Sequence, residues 1–281
     1  MKLAAFVIVL FLTVGSIVVG KIHWNDKIST YVGMKSTLVE EIEEDVQSVV
    51  KPESVTSSSN EETSLEQLTQ NLPDELKNRL KNADEEKKPL QFVILGSKST
   101  SSDSLGWPTL FKEKLIKTYG EQLFEISIVE IQDKNSTEVL KENLLDEALS
   151  QKPDVLLLEP FILMDNGEVE LRQRLNNIDD IVNEFTKANK EIYIFLQPAN
   201  PLYNATYYPK EVAELERYAV ENEYTYLNHW GAWPDYKSSE LEKYLSPDPS
   251  FSIKSIPSAK GHEVWAEFLL TYFISDGEIS N

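Results

Sequence analysis

The chain has 281 residues, 41% of them hydrophobic, and a formal net charge of −20 from 47 acidic and 27 basic side chains. That is enough for one good-sized core plus additional segments. The charge argues against nucleic acid or a polybasic membrane patch as partner, the lack of cysteine excludes disulfides and thiolate metal sites, and three histidines (His23, His229, His262) are few for an imidazole zinc centre.

In chain order, Leu3 to Gly20 is an uncharged run long enough to cross a bilayer as a helix. With Lys2 before it, residues 1–21 read as a signal-anchor that leaves the remainder extracytoplasmic. Gly15-Ser16 and Gly20 form a poor small-residue cleavage site; cleavage there would instead give a secreted protein. Residues 22–88 read as an acidic stalk. Leu38, Val39, Ile42, Val46, Val49 and Val50 are spaced for a short amphipathic helix or weak coiled coil. Lys51 to Thr63 is polar and low in complexity, and Leu65 to Leu80 suits a further helix with Pro73 at its start.

From Pro89 the texture alternates. Strands are expected at 92–95, 124–131, 155–159, 192–197 and 225–228, with helices at 108–119, 137–150, 171–189, 209–221 and 260–274. Five strands separated by helices imply a three-layer α/β/α domain over residues 89–277, with a parallel sheet in the flavodoxin-like order 2-1-3-4-5. Its functional rim is expected at the carboxyl edge, near the first and third strands. No phosphate-binding glycine motif or metal-ligand spacing is present.

Three ordered features then stand out: Val93-Ile94-Leu95-Gly96-Ser97-Lys98-Ser99 with Gly106-Trp107 after it; Pro153-Asp154 leading through a buried strand to Asp165-Asn166-Gly167; and Pro257-Ser258-Ala259-Lys260-Gly261-His262 before the last helix. In this order they resemble the blocks of the SGNH/GDSL hydrolases, and the resemblance covers about Pro89 to Ile274. It implies a serine esterase, acetyl-esterase or O-acetyl transferase without a cofactor. Its substrate would be an ester-bearing small molecule or an acetylated envelope polysaccharide.

The reacting positions of that family are substituted here. Lys98 stands at the nucleophile position, Ser97 at the preceding aspartate, Ile256 at the histidine and Ile253 at its orienting aspartate. The asparagine oxyanion donor aligns with Met164 or slips to Asn166. Two readings remain. One is a rearranged site with Ser97 or Ser99 as nucleophile, His262 as base, and Asp165 or Asn166 as orienter or oxyanion donor. The other is a domain that has lost catalysis and binds a glycan or serves as a scaffold. The bland alternatives are a polar loop at Ser97 to Ser104, a helix-start role for His262 and a turn at Asp165-Asn166-Gly167. Glu159 ends an apolar run and needs loop amides or Lys98 as partners. The loops after the fourth and fifth strands, with Tyr203, Trp230 and Trp233, could wall the cleft or fill the core.

Overall fold

The computed structural model describes residues 64–248 and 253–275. The expected membrane run, the 36–50 helix and the 51–63 linker lie outside the described residues. No described helix is long and apolar enough to cross a membrane.

The strands are β1 (Leu90–Gly96), β2 (Phe124–Glu130), β3 (Val155–Leu158), β4 (Tyr193–Leu196) and β5 (Thr225–Tyr226), all parallel, in the order β2-β1-β3-β4-β5. β1 and β3 read as continuous apolar runs because both faces of these central strands are covered. Residues 92, 94, 155, 157 and 195 meet one layer, built from α3 (Trp107–Tyr119) and the last helix, α9 (Ala259–Phe273). Val93, Leu95, Leu156, Leu158 and Leu196 meet the other, built from α4 (Ser136–Lys141), α5 (Asp146–Ser150), α7 (Leu171–Ala188) and α8 (Tyr208–Glu221). The single helix expected at 137–150 divides in two where Asn143 adopts a left-handed conformation, φ 54°.

Two features depart from the sequence reading. First, α1 (Leu65–Leu68) and α2 (Asp74–Glu86) are joined to the globular part, although their sequence sits in the segment read as stalk. Leu72, Leu76, Leu80 and Ala83 are buried in the same core as Phe92 and Phe273. Tyr119 Oη donates to Leu68 O at 3.0 Å, and Asn71 Nδ2 to Thr271 O at 2.9 Å. A helix with its apolar face spent on the core is not a spacer, so the packed unit extends amino-terminal to Pro89. Second, an antiparallel pair, β6 (Leu245–Pro247) and β7 (Lys254–Pro257), stands before α9. It brings Asp248 and Ile256 to the carboxyl edge.

Candidate functional site

β1 ends at Gly96, and the chain turns over the end of β3. A side chain at Gly96 would collide with Thr100 Oγ1 and with the Glu159 side chain, so only glycine lets the turn close this tightly. The turn is anchored from below by Glu159. Its Oε2 accepts from Ser97 N–H at 2.7 Å and from the Thr100 hydroxyl at 3.4 Å. Oε1 has no hydrogen-bond partner, and burial pushes the carboxyl up to about 7. Glu159 therefore has the loop-amide partners its position required, and Lys98 pairs elsewhere. Beyond Glu159 the chain passes through a further α6 (Ile162–Asp165), whose amino-terminal cap, Phe161, is buried in a left-handed conformation, φ 62°.

Lys98 Nζ lies 2.6 Å from Asp248 Oδ2 and 2.9 Å from Asp133 Oδ1; its side chain is 14% exposed and that of Asp248 only 1%. Burial by itself would lower the ammonium pKa, but the hydrogen bonds to Asp248 and Asp133 outweigh it and hold Lys98 above its ordinary value. A lysine acting as a nucleophile needs the opposite shift. Asp248 also accepts from Ser255 Oγ at 3.2 Å. The position that carries the nucleophile in the resembled family is thus the cation of an ion cluster. Asp248 was not singled out in the sequence; a Pro-Asp-Pro turn signal gives no hint that the acid is buried.

The serines beside it are committed to the loop. Ser97 is fully buried, and its Oγ accepts from Ser99 N–H at 3.3 Å. Ser99 Oγ donates to Asn200 Oδ1 at 2.8 Å, and Asn200 in turn donates to Ser255 O at 3.0 Å. Neither hydroxyl meets an imidazole.

Both described histidines act as structural acceptors. His262 Nδ1 accepts from Trp107 N–H at 3.2 Å, capping α3 in place of Gly106, which has no side chain to do so; burial lowers its pKa to about 4. His229 is fully buried, stacks on Trp265 at 3.9 Å, donates from Nε2 to Pro198 O at 2.9 Å and accepts from Trp233 Nε1 at 2.9 Å. This fixes its tautomer, and burial lowers its pKa to about 3.

Asp165 serves a different network. It accepts from Ser136 N–H at 2.7 Å and Ser136 Oγ at 2.8 Å, and its Oδ2 lies 3.9 Å from Arg174 Nε, with Arg174 Nη1 2.8 Å from Glu211 Oε2. Burial raises Asp165 to about 6. Asn166, half-buried, only ends the short α6 helix. No hydrogen bond joins Ser97 or Ser99 to Asp165, Asn166 or His262: these sequence candidates share an edge but not a constellation. An open groove of about 460 Å³ beside α4, lined by Asn135, Glu138, Lys141 and Glu168, does not include Lys98. Among the described residues no His, Asp and Glu side chains are grouped to hold a metal.

Solved structures with the same architecture include a protein assigned to the G-D-S-L lipolytic family from Desulfitobacterium hafniense. It is 17% identical with a TM-score of 0.51, over 65% of this chain and 99% of that one. A GDSL-like lipase from Parabacteroides merdae is 10% identical with a TM-score of 0.53, over 66% and 95% of the two chains. A variant of an acetyl-xylooligosaccharide esterase from Geobacillus is 17% identical with a TM-score of 0.50, over 68% and 97%. No family model and no curated protein sequence matches the chain. The fold is that of the SGNH/GDSL hydrolases, as the ordered blocks implied.

Proposed function

We propose that this is an SGNH-fold protein whose carboxyl edge binds a saccharide ligand without hydrolysing esters. The observation that carries this reading is the Lys98–Asp248–Asp133 cluster at the nucleophile position. Ester hydrolysis by this fold needs a reachable hydroxyl, an imidazole to take its proton and a carboxylate to orient the imidazole. Here the hydroxyls are tied into the loop, both described imidazoles are spent on structural bonds, and isoleucines stand at the histidine and aspartate positions. The uncharged Leu3–Gly20 run supports placement at a membrane, with the domain on the outer side. An envelope polysaccharide is the ligand class this placement favours.

The test is acetyl-ester hydrolysis by the full-length protein, on p-nitrophenyl acetate and acetylated xylooligosaccharide, with an active-serine phosphonate as covalent probe. We expect no turnover above a heat-denatured control and no labelling. Turnover abolished by both Ser97→Ala and His262→Ala would overturn the proposal in favour of a rearranged serine hydrolase.

A further inference from the structure

Residues 192–210 and 224–234 contain no acidic side chain, a property shared with 87–102 and 249–262; Asp235 follows the second stretch directly. These two stretches form the ends of β4 and β5 and the loops that leave them at the carboxyl edge. On a chain of net charge −20 they carry no negative side chain of their own, and they are dense in tyrosine, tryptophan and proline. Two of the few large hydrophobic side chains exposed on the described surface are here: Tyr207 at 69% and Tyr203 at 40%.

The two loops are tied together. Asn204 N–H donates to Tyr236 O at 2.7 Å, tying the loop after β4 to the turn that follows the 3₁₀ segment at His229–Ala232. Trp230 Nε1 donates to Ala199 O at 2.7 Å, and the indole lies 6.4 Å from the Tyr236 ring. Two lysines overhang the rings. Lys210 Nζ is 5.8 Å from the Tyr207 centroid and Lys237 Nζ 5.5 Å from the Tyr236 centroid. Neither makes an ion pair among the described residues, as is also true of Lys114, Lys117 and Lys190. Pro198, Pro201 and Pro209 stiffen the backbone that carries the tyrosines, which lowers the ordering cost of binding.

From this we infer that Tyr203, Tyr207, Trp230 and Tyr236, with Lys210 and Lys237, form a platform for an anionic saccharide. The C–H faces of its pyranose rings would lie on the aromatic faces, whose negative potential suits polarised C–H groups. Its carboxylates or phosphates would take the two ammonium groups. Tyrosine, with a polar tip and no exposed aliphatic side chain beside it in these loops, fits a sugar ring better than a lipid tail. The ligand is thus a polysaccharide segment bearing uronate or phosphodiester groups. The inference rests on the binding reading of this edge and adds the ligand class.

The test is calorimetric titration of the full chain in zwitterionic nanodiscs. The probes are tetragalacturonate, uncharged xylotetraose and soluble short-chain phosphatidylglycerol. We expect saturable tetragalacturonate binding, more than tenfold tighter than xylotetraose and weakening as salt rises. Tyr203→Ala with Tyr207→Ala should weaken it more than tenfold, Lys210→Met and Lys237→Met about threefold each. The exposed Val220→Ala should leave it unchanged. No saturable tetragalacturonate binding, equal affinity for xylotetraose, indifference to the tyrosine pair, or a preference for the phospholipid would each overturn the platform. The two failures are separable. Ester turnover with tyrosine-dependent binding intact would sink only the non-hydrolytic reading; silence in both assays would sink only the platform.

Discussion

Lys98 and Asp248 are joined by a 2.6 Å ion pair across the carboxyl edge, linking the loop after β1 to the end of β6. Asp248 is all but inaccessible to solvent, and the ammonium and the Ser255 hydroxyl help to make its charge tolerable there. Lys98→Met is expected to cost about 3 kcal/mol, because it takes the paired ammonium away from a buried carboxylate. Adding Asp248→Asn should recover most of that loss. Urea denaturation of the two single variants and the double variant measures the coupling; additive costs would mean the pair contributes nothing of its own.

Glu159 should make stability depend on pH. Its folded pKa of about 7 lies above the ordinary glutamate value of 4.5, so the folded state holds the proton more tightly than the unfolded one. The associated stability is full below pH 4.5 and is lost as pH rises through 7, a change of ~3 kcal/mol. Glu159→Gln has no such titration. The stability of this variant relative to wild type should therefore rise by a few kcal/mol between pH 4.5 and 8 in matched urea titrations. Parallel profiles would mean that the carboxyl is ionised throughout.

The imidazoles give a spectroscopic prediction. With pKa values lowered to about 3 and about 4 by burial, neither His229 nor His262 should titrate between pH 5 and 8. In nitrogen-detected NMR both rings should keep one neutral tautomer, protonated at Nε2, across that range. His262→Ala should cost about 1 kcal/mol, the ordinary worth of a helix cap. A titration of either ring near neutrality would restore a candidate base.

Helix α2 can be tested as part of the fold. Leu76 and Leu80 are 1% and 0% exposed, and Leu76→Ala should destabilise the domain by roughly 2–5 kcal/mol. A protein beginning at Pro89 should unfold at markedly lower urea than one beginning at Glu61. If the two behave alike, the contacts of α2 contribute no net stability.

The architecture was legible because the parallel strands announce themselves. Phe92–Leu95 and Val155–Leu158 are unbroken apolar runs, ended by Gly96 and Glu159 and each followed by a helical repeat. The α1–α2 attachment was not legible. In α2 eight charged residues (Asp74, Glu75, Lys77, Arg79, Lys81, Asp84, Glu85, Glu86) surround three apolar ones; the spacing of Leu76, Leu80 and Ala83 puts them on one face, but only the structure reveals the core that face meets. For the site, sequence order located the edge and the substitutions on it. Where the side chains end was beyond it. Asp165 follows a buried strand as a catalytic acid would, but its hydrogen bonds run to Ser136 and toward Arg174. His262 opens a helix, yet caps a neighbouring one 155 residues away in sequence. Asp248 carried no signal, because burial of a lone acid in a proline turn depends on a cation that arrives from a distant loop.

The Lys98–Asp248 pair also bears on how this edge could change over generations. Placing serine at position 98 alone would remove the amine that Asp248 is paired with and cost a large part of a marginal stability. Neutralising Asp248 first would take the closer of two carboxylates from the Lys98 ammonium. Either single step lowers stability, and Ile253 and Ile256 offer no acid–base group in return. The pair therefore makes the character of position 98 a property of two distant loops at once, so that a single substitution at either end costs stability before it can change chemistry.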